Sequence, residues 1–135
     1  LEVTADANIY ISALEFGGVP LRFIDAARAN IFRIAISDPL LAEVHRVLRV
    51  KFRWSDEALD EALAGIADFT RHVRPAMTID VVEADPDDNR VLECAMEARS
   101  EFIVTGDNDL LRLGGYAAIR IIRVADFMNL IDRSG

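Results

Sequence analysis

Short apolar runs that each stop at a polar or acidic residue, and then give way to helical spacing, constrain this chain more than any other feature. Leu1 to Ala5 runs into Asp6, Ile31 to Ile36 into Ser37, and Phe102 to Val104 into Thr105-Gly106-Asp107. Phe102-Ile103-Val104 is wholly apolar, as expected of a strand buried on both faces. Between the runs, apolar residues recur every three to four positions. Leu40, Leu41, Val44, Val47 and Leu48 form one such stripe. Strands alternating with helices imply a parallel sheet covered on both sides. The expected fold is therefore α/β, three layers, with a central parallel sheet of about five strands.

The punctuation sets the boundaries. Helical spacing from Ile9 to Leu14 is broken by Gly17-Gly18-Val19-Pro20, and a second helix, Leu21 to Ala29, begins near Pro20. Ser37-Asp38-Pro39 joins a capping side chain to a first-turn proline. Ser55 caps a helix predicted to reach about His72, before Pro75. Thr78 to Val82 reads as the third strand, and Asp85-Pro86-Asp87-Asp88 opens a helix from Asn89 to Arg99. A short helix after Asp107 ends near Gly114-Gly115. Ile119 to Arg123 is the last strand and Ala125 to Ile131 the closing helix. No repeat or linker interrupts residues 1–135, so one domain is expected.

Composition narrows the function classes. With 52% hydrophobic and 28% charged residues the chain reads as soluble and globular, and no segment reaches the roughly 20 apolar residues that span a bilayer. The apolar start lacks a basic flank and carries Glu2 and Asp6, which argues against a signal peptide. Cys94 stands alone, which removes an internal disulfide and leaves a buried side chain as its expected role. A cytoplasmic location is the expectation. The formal charge of −8 argues against gripping nucleic acid through bulk positive potential. It leaves room for a site whose carboxylates are neutralised by cations.

The positions of the acids carry the functional argument. Asp6 ends the first strand, Asp107 follows the buried fourth, and Asp85, Asp87 and Asp88 lie ahead of a helix. Ligand sites in open parallel sheets form beyond the carboxyl ends of the strands. Glu43, one turn into the helix after the second strand, is placed to lean over the same edge. Converging carboxylates repel unless a cation lies between them. Mg²⁺ and Mn²⁺ take oxygen ligands and phosphate, and activate water for phosphodiester hydrolysis. His45 and His72 are far apart and have no thiolate partners for zinc. Taken singly, each acid has a plainer use. Those at helix starts favour the helix dipole, Asp107 and Asp109 suit a cap, and Glu43 suits a solvated face. Asp6 is the hardest to explain that way, since an acid closing an apolar strand needs a partner.

The same residues resemble a known family. Val3-Thr4-Ala5-Asp6-Ala7-Asn8-Ile9-Tyr10 resembles the opening of PIN-domain proteins, and Ser37-Asp38-Pro39-Leu40-Leu41-Ala42-Glu43-Val44 their second block. Asp85-Pro86-Asp87-Asp88-Asn89-Arg90-Val91-Leu92 and Ile103-Val104-Thr105-Gly106-Asp107-Asn108-Asp109 are similar to the third and fourth. The blocks occur in order, and the chain resembles the bacterial toxins of toxin–antitoxin pairs that are related to VapC-type toxins. The resemblance implies a PIN-like domain acting as a Mg²⁺- or Mn²⁺-dependent endoribonuclease. Its acids would be Asp6, Glu43, one of the Asp87-Asp88 pair, and Asp107. Asn8, Ser37, Asn89 and Thr105 would support the metal-binding loops, and Asp109 would reach a second ion through water. Two departures stand out. Ala7 replaces a threonine, and the spacing back from Thr105 lands on Asn89, so Asp88 is expected to substitute.

Arg46, Arg49, Lys51, Arg53 and Trp54 form a basic stretch with an aromatic end, suited to an RNA backbone and a stacked base. The plainer reading is a solvated helix end with cations near its C-terminus. By resemblance the partners are an RNA substrate, a cognate antitoxin and a second copy in a homodimer. Leu21 to Ala29 and Leu59 to Phe69 offer apolar surface for them. A catalytically degraded PIN-like binding module is the alternative that Ala7 and Asn89 raise. A phospho-acceptor receiver domain would need a lysine after the last strands, and the sole lysine is Lys51.

Overall fold

The computed structural model describes residues 1–134. Six strands form one sheet: β1 (Glu2–Ala5), β2 (Arg33–Ile36), β3 (Thr70–His72), β4 (Phe102–Val104), β5 (Gly115–Tyr116) and β6 (Ile119–Ile122). Their order is β3-β2-β1-β4-β6-β5, parallel throughout except where β5 turns back against β6. Seven helices complete the described residues and cover the sheet as a three-layer α/β/α arrangement: α1 (Ala7–Glu15), α2 (Gly18–Arg28), α3 (Asp38–Val50), α4 (Asp56–Phe69), α5 (Asp87–Ala98), α6 (Asn108–Leu113) and α7 (Val124–Ser134). No helix among the described residues is long and apolar enough to cross a membrane.

The strand order fixes where a ligand can sit. From β1 the chain moves outward through β2 to β3, then returns across to β4 on the other side of β1. The connections leaving β1 and β4 therefore diverge, and a crevice opens between their carboxyl ends. Val3, Ala5, Ile34, Ile103 and Val104 are fully buried, as strands covered on both faces require. Phe127 packs against Phe23, Phe32 and Phe102 at centroid separations of 5.0–5.6 Å and anchors α7 under the sheet.

Two boundaries differ from the sequence reading for one physical reason. The helix from Ser55 ends at Phe69, and Thr70-Arg71-His72 pairs with β2 as the edge strand. The apolar segment Thr78 to Val82 is not a strand. Its backbone groups go to side chains of α5 instead. Glu93 Oε2 accepts from Ile79 N at 2.8 Å, and Asn89 Oδ1 accepts from Val81 N and Val82 N at 3.0 and 2.9 Å. Asn89 Nδ2 donates to Val82 O, Arg90 to Ile79 O, and Glu97 accepts from Ala76 N. Residues 89, 93 and 97 stand one turn apart, so one helix face holds an extended strap with Ile79 and Val82 buried beneath it. Buried backbone must find partners, and here a helix supplies what a neighbouring strand would.

Smaller shifts follow local chemistry. α2 starts at Gly18, two residues ahead of Pro20. Ser37 occupies the N-cap position of α3, but its side chain makes no capping bond, which corrects the expected cap. Gly114 closes α6 in the left-handed conformation at φ 66°, where a side chain would be strained.

Candidate active site

Parallel register brings the first two acids together before any side chain is considered. Ala5 pairs with Val104, so Asp6 and Thr105 are the next residues on adjacent strands, and Asp6 N donates to Val104 O at 3.1 Å. Asp6 caps α1 by accepting from Ile9 N at 3.2 Å. Its other oxygen accepts a short hydrogen bond from the Thr105 hydroxyl. Thr105 Oγ1 in turn accepts from Asp107 N at 2.9 Å. One buried hydroxyl thus couples the acid ending β1 to the acid after β4. Asp107 caps α6 with a single oxygen, Oδ1, which accepts from Asp109 N and Leu110 N.

The third contribution comes from the start of α5. Oxygen atoms of Asp85, Asp88 and Asp107 all lie within 4.8 Å of one another. Asp88 is 6% exposed, and its Oδ2 is buried with no hydrogen-bond partner. A desolvated carboxylate oxygen without a donor is costly. Beside two further carboxylates it forms a donor set that fits a hard divalent cation. The sequence places Asp85 among the acids at this edge but gives it no ligand role, because an acid ahead of a helix has an ordinary use there.

The electrostatics follow from crowding. Burial pushes the Asp6 carboxyl up to about 6, with the charge of Asp107 adding to it and the Thr105 and Ile9 hydrogen bonds opposing. Burial, then the contact and charge of Asp107, then Asp85 and Asp6, push Asp88 up to about 8. Glu43 is also raised, by burial and by Asp87, Asp6 and Asp85, with Arg46 opposing. These mutual influences put Asp6, Asp85, Asp88, Asp107 and Glu43 in one field. Each carboxylate makes its neighbour harder to ionise, which a bound cation reverses.

The remaining expected residues divide sharply. Arg46 lies 4.0 Å from Glu43 and 3.9 Å from Asp87, bridging α3 and α5 at the rim. Those three residues, with Pro39, Ala42 and Arg90, line a cavity of about 230 Å³. Arg49 instead pairs with Asp56 at 3.1 Å, and Lys51 lies over the Phe52 ring. Arg53 takes a left-handed backbone turn at φ 58°. Trp54, expected to stack a base, packs against the core and donates to Glu15 at 2.9 Å, so the basic stretch is not one continuous RNA surface. Asp109 pairs with Arg112 at 2.7 Å, and Asp87 is an exposed rim residue. Asn8 contributes its backbone amide to Asp6, while its side chain is exposed. Asn89 spends its side chain on the strap, and Ser37 Oγ is buried without a partner. Cys94 is fully buried, and burial pushes its thiol up to about 11. His72 is tied to Asp38 at 2.7 Å, away from any metal-ligand cluster.

Two comparisons with known proteins bear on this site. A search of curated proteins found none that matches the chain. The family model described as PIN domain matches residues 2–109, a span that includes Asp6, Glu43, Asp85, Asp88 and Asp107. The match runs from β1 through the acid after β4, and on it the chain belongs to the PIN-domain family.

Proposed function

We propose that this protein is an endoribonuclease dependent on Mg²⁺ or Mn²⁺ that hydrolyses RNA phosphodiester bonds. The observation that carries the reading is Asp88 at the carboxyl end of the sheet, whose Oδ2 is buried and unpartnered and whose carboxylate has an oxygen within 4.8 Å of oxygens of Asp107 and Asp85. Asp6, Asp88 and Asp107 would hold the cation. When bound, the ion supplies a water acidic enough to attack phosphorus, and charge to stabilise the departing oxygen.

The chain's own residues set the rest. The Thr105 hydroxyl fixes the Asp6 carboxylate and, through the Asp107 amide, the start of α6, so the two acids keep a constant separation. Glu43, on α3 and within the field of Asp6 and Asp85, has its affinity for protons raised and would take a proton from attacking water. Arg46, held only loosely by Glu43 and Asp87, is free to turn toward a substrate phosphate.

The finer assignment, a cytoplasmic toxin of a type II toxin–antitoxin pair, rests on the resemblance of the four sequence blocks. A groove of about 460 Å³ between α1, α2 and α4, lined by Leu14, Leu21, Ile24, Ala62 and Phe69 among others, offers apolar surface for an antitoxin or a second copy. The deciding experiment is RNA cleavage by purified protein with Mg²⁺, Mn²⁺ or chelator. Asp6→Asn is expected to fold and to lose metal-dependent cleavage. Undiminished cleavage by that variant would overturn the assignment.

A further inference from the structure

We propose that Asp85 is a direct ligand of the cation, completing a set with Asp88 and Asp107, and that Asn89 is excluded from that role by its work on the strap. The inference rests on the cation-dependent reading above and adds a ligand that the chain's spacing does not suggest. Three observations carry it.

The first is proximity, since an oxygen of Asp85 falls within the same 4.8 Å as those of Asp88 and Asp107. The second is availability. Asp85 uses Oδ1 to accept from Asp87 N at 3.1 Å, and among the described residues nothing donates to its Oδ2. Asp107 likewise commits Oδ1 to the α6 cap, and Asp88 leaves Oδ2 buried and unpartnered. Each of the three carboxylates therefore keeps one oxygen uncommitted, and a carboxylate can accept a backbone bond with one oxygen while coordinating with the other. The nearby acids differ. Asp87 faces Arg46, and Asp109 is held by Arg112.

The third observation concerns Asn89. Its Oδ1 accepts from two backbone amides and its Nδ2 donates to a carbonyl, all within the 81–82 backbone. An amide so engaged has no oxygen to turn toward the cation without breaking the strap. Asp85, by contrast, is fixed for its task, because its own carbonyl accepts from Asp88 N at 3.0 Å. That bond makes the approach to α5 a closed turn that brings its first and fourth residues, Asp85 and Asp88, together.

The test is Mn²⁺ binding to the full chain, followed by calorimetry and by the rise in thermal midpoint. Asp85→Asn retains the Oδ1 acceptor of the turn. It is expected to keep the metal-free midpoint and weaken Mn²⁺ binding by at least about 10-fold. Asp87→Asn should bind as the unmodified chain does. Wild-type affinity in Asp85→Asn, alongside loss of binding in Asp88→Asn, overturns the proposal and leaves the nuclease reading intact. Failure of the unmodified chain to bind Mn²⁺ removes both. A measurement that needs no variant gives the same decision. On adding Mg²⁺, the carboxylate ¹³C resonance of Asp85 should shift with those of Asp88 and Asp107, while those of Asp87 and Asp109 stay in place. A stationary Asp85 resonance overturns the assignment.

Discussion

The two halves of the acidic site are built by different means. Asp6 and Asp107 are delivered by β1 and β4, whose parallel register sets Asp6 beside Thr105 before any side chain acts. Asp85 and Asp88 are delivered by an irregular segment and the first turn of α5, held by side-chain bonds from Asn89, Arg90, Glu93 and Glu97. One half inherits its precision from the sheet, and the other has it supplied one hydrogen bond at a time. Sites built on rigid elements hold geometry more tightly than sites on loops. The strapped half therefore needs its many backbone contacts to match the sheet half.

The two halves should respond differently to substitution. The largest effect is expected on the sheet side, where Asp107→Asn should reduce metal-dependent RNA cleavage by more than the roughly 100-fold that substitutions behind a ligand reach. Single-turnover cleavage at saturating Mn²⁺ measures it, and a loss below 10-fold would place Asp107 outside the reaction. Thr105→Val keeps the shape and removes the shared hydroxyl. It is expected to cost about 10–100-fold in activity or metal affinity, because Asp6 and Asp107 lose their common partner.

On the strapped side, Asn89→Asp keeps an acceptor for Val81 and Val82 but cannot donate to Val82 O. Leaving that carbonyl unpaired, with a new charge beside Asp88, should destabilise the fold by about 1–3 kcal/mol in urea unfolding. An unchanged midpoint would show that the strap does not depend on this amide. The smallest effect is reserved for the distal end of the basic stretch. Arg49→Ala breaks only an exposed pair with Asp56, and should cost under about 1 kcal/mol and leave cleavage unchanged.

Acidity offers a test that spans both halves. In the folded, metal-free chain Asp6 titrates at about 6 and Asp88 at about 8, against an ordinary 3.8. Between those values the folded state holds protons that the unfolded chain has released, so stability falls as pH rises. The contribution is fully present below the ordinary value and is lost through the window that ends near 8. Thermal midpoints with chelator should therefore decline across that window, and millimolar Mn²⁺ should flatten the decline by binding the ionised folded state. A metal-free midpoint that rises over the same window would show that the acids are not crowded.

The sequence exposes the sheet half far better than the strapped half. Asp6 and Asp107 stand out because Val3 to Ala5 and Phe102 to Val104 are apolar runs with acids just beyond them. Thr70-Arg71-His72 carries no such pattern, since an edge strand with two exposed side chains needs no apolar alternation. Thr78 to Val82 has the composition of a strand, yet its partners are side chains on a helix later in the chain, a pairing that periodicity does not encode. The role of Asp85 carries a similar ambiguity. An acid before a helix suits the helix dipole whether or not it also faces a cation. The basic stretch misled in the other direction, because residues adjacent in sequence after α3 point to separate partners: Asp56 for Arg49, the Phe52 ring for Lys51 and Glu15 for Trp54.

Because the segment 76–82 borrows its hydrogen bonds from α5 rather than from a neighbouring strand, it can lift away while the sheet stays closed. The amides of Ile79, Val81 and Val82 would then exchange with solvent through a partial opening cheaper than global unfolding. Each such event frees the chain that leads into Asp85 and leaves Asp6, Asp88 and Asp107 where they are. Hydrogen exchange at those three positions thus times how often Asp85 loses the support behind it.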